Sequence, residues 1–176
     1  MALVRNNQKS LRSILIDGEN LSSSEYEQIL TGTEGLEEFC VFYAHEANAT
    51  LIDELRKHIG TLRKLVIRKG DSFERQVLQH FFSNPMPRLV HIKIDECRGT
   101  TTETISNIAH SCPNLEYLSF AWCVYVENDG VTDVIINCKR LRKFNLTGAK
   151  GISDGAYRPV LERIARDIRE GSITTL

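Results

Sequence analysis

The sequence predicts a single α/β domain over residues 1–176, a solenoid of about six strand-helix units with a parallel sheet on the concave side and helices on the convex side. Three observations carry this. An apolar triplet at i, i+3 and i+5 occurs six times: Leu11-Ile14-Ile16, Leu36-Phe39-Val41, Leu62-Leu65-Ile67, Leu89-Ile92-Ile94, Leu115-Leu118-Phe120 and Leu141-Phe144-Leu146. The leading leucines are 25, 26, 27, 26 and 26 residues apart, and a fixed period in this range marks units that bury their apolar sides only against their neighbours. Ahead of most leucines lies a second pattern, with the i, i+3, i+4, i+7 spacing of one helix face.

Each element follows in order, with repeats beginning near 11, 36, 62, 89, 115 and 141. Residues 1–10 place only Met1 and Val4 on a helix face before Leu11, so the chain is expected to start inside the helix of an earlier unit. The first strand is followed by a helix bearing Tyr26, Ile29 and Leu30, the second by one bearing Ile52, Leu55 and Ile59. Leu78, Phe81 and Phe82 mark the third helix; Ile105, Ile108, Ala109 and Cys112 the fourth; Val131, Val134, Ile135 and Cys138 the fifth. A capping helix at about 155–169 repeats this face with Tyr157, Val160, Leu161 and Ile164, extended by Ile168. Its polar face is expected to be Arg163, Arg166, Asp167, Arg169 and Glu170. Connections of this length favour parallel strands, predicted to start near 13, 38, 64, 91, 117 and 143. The C-terminal end reads as closed and the N-terminal end as open, as in the last part of a longer design or a short form. Residues 1–35 should then exchange amide hydrogens faster than residues 115–165.

Hydrophobic residues make up 41% and charged residues 26%, the balance of a folded domain, and the net charge is -1. That balance argues against nucleic acid as a partner. No stretch is apolar and long enough to span a membrane, and MALVRNNQKS lacks the apolar core of a signal peptide, so no membrane partner is expected. The cytoplasm is the expected location, with the nucleus as the alternative. Lys139-Arg140-Leu141-Arg142-Lys143 has the composition of an import signal, but its central leucine belongs to the core. Sequons at Asn20, Asn48 and Asn145 have no secretory context and are set aside.

Leu89-Val-His-Ile-Lys-Ile-Asp-Glu-Cys97 and Leu115-Glu-Tyr-Leu-Ser-Phe-Ala-Trp-Cys123 carry cysteine at the eighth residue after the leading leucine. Ser111-Cys-Pro-Asn-Leu115 closes a helix into a strand, and Gly151-Ile-Ser-Asp-Gly155 opens a helix. Together these resemble the cysteine-containing leucine-rich repeats of F-box/LRR proteins, clearly over residues 89–155 and more loosely over 11–88. Glu19, Ala44, Gly70 and Ala149 depart from the pattern at the cysteine position. The resemblance implies a leucine-rich repeat solenoid that recognises ubiquitin-ligase substrates. It implies the Skp adaptor and cullin as partners only if a longer form supplies an F-box, for which this sequence has no residues. The alternative is a stand-alone leucine-rich repeat scaffold or regulatory protein unrelated to ubiquitin.

No constellation points to catalysis, so the chain is expected not to be an enzyme, with neither cofactor nor metal. Cys97, Cys112, Cys123 and Cys138 are spaced 15, 11 and 15 residues apart, which is the repeat period divided in two, and no Cys-x-x-Cys occurs. They are expected to be buried thiols, with Cys40 on the open side and most reactive. Of the histidines at 45, 58, 80, 91 and 110, only His91 pairs with a carboxylate on one strand face, Asp95, and no nucleophile stands beside them. Asp17-Gly18-Glu19 and Glu127-Asn128-Asp129-Gly130 lack the alternating ligands of a calcium loop.

Strand side chains between the buried positions point to the open side. The partner site is placed there, centred on Phe42, Arg68, Lys93, Tyr117 and Trp122. Lys64, Arg68, Lys69, His91 and Lys93 form a basic strip between Glu37-Glu38 and Asp95-Glu96, suited to a protein segment carrying acidic or phosphorylated residues. Trp122, the only tryptophan, is either a binding anchor or local packing over the strand edge.

Overall fold

The computed structural model describes residues 8–170, apart from the side chains of Gln8, Tyr157, Ile164, Asp167 and Ile168. A short 3-10 turn, Gln8–Ser10, leads into β1 (Ser13–Asp17). Then follow α1 (Ser23–Leu30), β2 (Glu38–Phe42), α2 (Ala49–Arg56), β3 (Lys64–Arg68), α3 (Arg75–Phe82) and β4 (His91–Asp95). The chain continues through α4 (Thr102–Ser111), β5 (Tyr117–Ser119), α5 (Asn128–Asn137), β6 (Lys143–Asn145) and α6 (Asp154–Arg169). All six strands pair in chain order, each parallel to the next. Strand starts fall on the predicted residues.

The register explains the period. Ile14 sits opposite Phe39, then Leu65, Ile92, Leu118 and Phe144, so one apolar row crosses the whole sheet. These side chains meet the buried faces of the helices: Tyr26, Ile29 and Leu30 of α1, Leu51, Ile52 and Leu55 of α2, and Leu78, Phe81 and Phe82 of α3. The same holds for Ile105, Ile108 and Ala109 of α4 and for Val131, Val134 and Ile135 of α5.

Polar turns tie successive units. Asn48 caps α2 by accepting from Thr50 N (3.0 Å) while its amide donates to Ser23 Oγ of the preceding unit (3.0 Å). Asn128 and Ser153 make the same kind of link twice, at 2.7 and 2.9 Å. The Cys97 and Cys123 thiols donate to Ile67 O (3.7 Å) and Ile94 O (3.1 Å) of the strand before. That is a reason for cysteine at this position which spacing does not reveal. At Gly70, the same position one unit earlier, a Cβ would stand 2.6 Å from the Phe73 ring and 3.1 Å from Cys97 Sγ, so the small residue makes room for both.

Two expectations about the ends are corrected. On α6 the inward face runs through Ala156, Val160 and Arg163, while Leu161 is 64% exposed. Arg163 is not polar-face decoration: its guanidinium lies buried against the end of α5, donating to Cys138 O (2.8 Å) and Lys139 O (3.0 Å). The sixth unit is also less closed than its pattern suggests, with Leu141, Phe144 and Leu146 only half-buried, like Leu11 and Ile16 at the first. Met1 and Val4, and the side chains of Tyr157, Ile164, Asp167 and Ile168, lie outside the described residues.

Candidate functional site: the open sheet face and its carboxyl-end rim

Every second strand residue points away from the helices, which sorts the open face into rows that cross the repeats. The row nearest the strand starts is Ser13, Glu38, Lys64, His91, Tyr117 and Lys143; the middle row is Leu15, Cys40, Val66, Lys93, Ser119 and Asn145. The third holds Asp17, Phe42, Arg68 and Asp95.

The predicted site residues take different parts in these rows. Arg68 stands 6.0 Å from the Phe42 ring centroid and pairs with Glu96, Nη2 to Oε1 at 3.2 Å. Lys93 reaches Asp95 Oδ2 at 3.2 Å. Tyr117 stacks on His91 with ring centroids 4.1 Å apart and an interplanar angle of 3°. Trp122 stands apart at the carboxyl end, 56% exposed. The structure therefore joins Phe42 to Arg68 and leaves Trp122 in a second zone.

The basic strip is more self-paired than its sequence suggests. Glu96 and Asp95 fold onto Arg68 and Lys93 instead of only bordering them, and Lys69 Nζ lies 4.4 Å from the Tyr43 ring centroid. Lys64 has no ion pair among the described residues. The field of the strip still registers on His91, whose pKa is lowered first by burial and then by Lys64 and Lys93. Asp95 is not an orienter for His91. It is buried, and its Oδ1 accepts from Ser119 Oγ at 2.6 Å and Ala121 N at 3.0 Å.

Cys40 corrects another expectation. It belongs to the open face, yet Leu15 and Val66 flank it in register and leave it 5% exposed. Burial raises its pKa despite the nearby Lys64, so it is not an activated thiol. The other four thiols are buried and free, and burial raises the pKa of each, that of Cys112 to about 12 and those of Cys123 and Cys138 to about 11. Among the described residues no three histidine, cysteine or acidic side chains gather as a metal site would require.

Sequence reasoning placed Lys69, Glu96 and Trp122 beside the open face but missed the backbone that holds them. Seven residues after the leading leucine, Tyr43, Lys69, Glu96 and Trp122 hold positive φ of 54°, 56°, 57° and 61°. Gly148 continues the series at 69°. Left-handed backbone disfavours side chains, so a row of them at one sheet edge is a strained, repeated feature. The clue in the sequence was Gly148 standing in phase with these four residues.

No protein-family model and no curated protein matches the sequence. Among solved structures, a chain from the crystal structure of the Rad7 and Elc1 complex in yeast is similar, with a TM-score of 0.75 at 22% identity. The match covers 90% of this chain and 42% of that one, so this chain spans less than half of its neighbour's length. At that identity the likeness is one of fold, and it agrees with the sheet and register above: an α/β repeat solenoid of the leucine-rich kind.

Proposed function

We propose that this chain is a non-catalytic protein-recognition module, holding a partner on its open sheet face and rim in the way the repeats of F-box/LRR ubiquitin ligases hold substrates. The observation that carries the reading is the rim. Four side chains sit where left-handed backbone costs about 1–2 kcal/mol per residue, and two of them, Tyr43 and Trp122, are exposed aromatics. Strain kept at one surface is a mark of function, and exposed aromatics with arginine are the usual binding anchors. The lysines around His91 support a partner segment with acidic or phosphorylated residues. Skp adaptor and cullin enter only through an F-box in a longer form.

The test is affinity capture with the full chain, read by quantitative mass spectrometry beside Trp122→Ala and Arg68→Glu. Both variants alter exposed or half-buried side chains and should fold, yet lose captured partner by about tenfold or more, as hot-spot truncations do. A partner retained equally by both variants, but lost with Glu103→Lys on the helix face, would show that recognition uses the other side.

A further inference from the structure

Tyr43, Lys69, Glu96 and Trp122 show that the rim backbone tolerates a side chain at φ of 54° to 61°. Gly148, at 69°, occupies the same place in the sixth unit, so the backbone alone does not demand glycine there. The Trp122 ring does. A Cβ on residue 148 would press into the ring, clashing with Cδ2 and Cε3 and lying 2.9 Å from Cε2. The missing side chain is therefore the floor on which the indole rests. Trp122 N donates to Thr147 O at 2.8 Å, tying the two units at this point.

The ring nonetheless stays 56% exposed, and two more exposed apolar side chains, Val124 at 41% and Tyr125 at 48%, follow it in the same turn. Cations accompany this turn. The Arg75 guanidinium lies 4.4 Å from the Tyr125 ring centroid. Arg98 and Lys150 hold the place of Val124 in the units before and after, and Arg98 is 80% exposed with a 3.6 Å pair to Asp71. Of the neighbouring carboxylates, Glu96 is taken by Arg68 and Asp71 is shared by Arg98 and His45, while Glu74, Glu103 and Glu127 are exposed. Exposed aromatics with an arginine over one of them suit an apolar side chain with a carboxylate beside it.

We propose that Gly148 is the seat that fixes Trp122 as a preorganised anchor, and that the partner enters as a peptide segment placing an apolar residue next to aspartate or glutamate on the Trp122-Val124-Tyr125 turn. This rests on the recognition reading above and names its contact point. A ring already held in place loses little freedom on binding, which is why a positioning residue outside the contact counts.

Trp122 is the sole tryptophan, so its fluorescence reports the seat directly in the full chain. Gly148→Ala should lower its anisotropy and raise its quenching by acrylamide while far-UV circular dichroism stays as in wild type. Unchanged fluorescence in a folded Gly148→Ala overturns the seat. For the occupant, the probe is a phage library of random 12-residue peptides panned on the full chain. Enriched peptides should pair an acidic with an apolar residue and bind Trp122→Ala and Gly148→Ala at least about tenfold more weakly. If Gly148→Ala fails to fold, Trp122→Ala alone decides this arm. Enriched peptides that bind the variants as well as wild type, or that are basic, overturn the occupant and leave the recognition reading standing. No enrichment on wild type counts against both.

Discussion

Arg163 shows how much one side chain can hold at the end of a stack. Its guanidinium donates to Ile135 O (3.5 Å), Cys138 O (2.8 Å), Lys139 O (3.0 Å) and Leu141 O (3.3 Å), carbonyls at the end of α5 and the turn beyond it. A cation there also meets the negative end of the helix dipole. Charged hydrogen bonds contribute roughly 1.5–3 kcal/mol, so Arg163→Ala should lower stability in urea by about 2–3 kcal/mol. Arg163→Lys, which keeps the charge without the planar fork, should fall between. His58 is the second case. Leu36 N donates to Nδ1 at 3.4 Å, so the neutral ring carries its proton on Nε2 and donates to Thr33 Oγ1 at 2.9 Å. Burial, as the largest effect, lowers its pKa from 6.5. The unfolded chain therefore takes up the proton first as pH falls. Stability is full above about pH 6.5 and drops below it; His91, also lowered, acts in the same direction. The urea midpoint should decline from pH 7 to pH 5, and His58→Gln should flatten that slope. An unchanged slope would mean His58 does not hold the turn as described.

Among the elements, every strand and five helix faces were legible, because each rests on a period repeated in phase, although α2 ends at Arg56, short of Ile59, and buries Leu51 as well. Phe81 and Phe82 of α3, or Ile105 and Ile108 of α4, are fixed by 3.6-residue spacing alone. The errors fell where a local exchange replaced an apolar residue. On α6 the buried guanidinium of Arg163 takes a place that a hydrophobicity pattern assigns to Leu161, and no pattern scores an arginine as core. Of the candidate site, the face and the residues of the rim were legible, but the rim's backbone was not. Alternation points Lys93 and Tyr117 outward, but neither the left-handed backbone at Trp122 nor the floor at Gly148 follows from alternation. The turns give a prediction at this scale. Asn48 serves α2 as its N-cap and α1 as an inter-unit link through Ser23. Loss of a cap costs about 1 kcal/mol, so Asn48→Ala should lower the urea midpoint by about that much or somewhat more. Ser23→Ala removes this link and the bond that the Ser23 hydroxyl donates to Glu46 O (2.7 Å) but leaves the cap, so it should lower the midpoint through the joint between units alone.

At the scale of the whole molecule, stability in a stack is the sum of units and the interfaces between neighbours. The core therefore thins toward both ends. Leu36, Phe39, Val41, Leu62, Leu65, Ile67, Leu89, Ile92 and Ile94 are fully buried, whereas Leu11 and Ile16, and Leu141, Phe144 and Leu146, are half-buried. This revises the one-sided fraying read from the sequence. Amides of β3 and β4 should be the slowest to exchange, with β1 and β6 both faster. Protection as high in β6 as in β4 would mean that α6 closes the stack as fully as the sequence suggested. The sixth unit matters most for function, because it carries the floor under Trp122. If β6 opens locally, the indole loses that floor while the remaining units stay folded. Trp122 fluorescence should then change at lower urea than the far-UV circular dichroism of the chain. Arg163→Ala, by loosening α6 from α5, should widen the gap between the two transitions, since it weakens the last interface and no other. Coincident transitions in both proteins would show that the six units unfold as one.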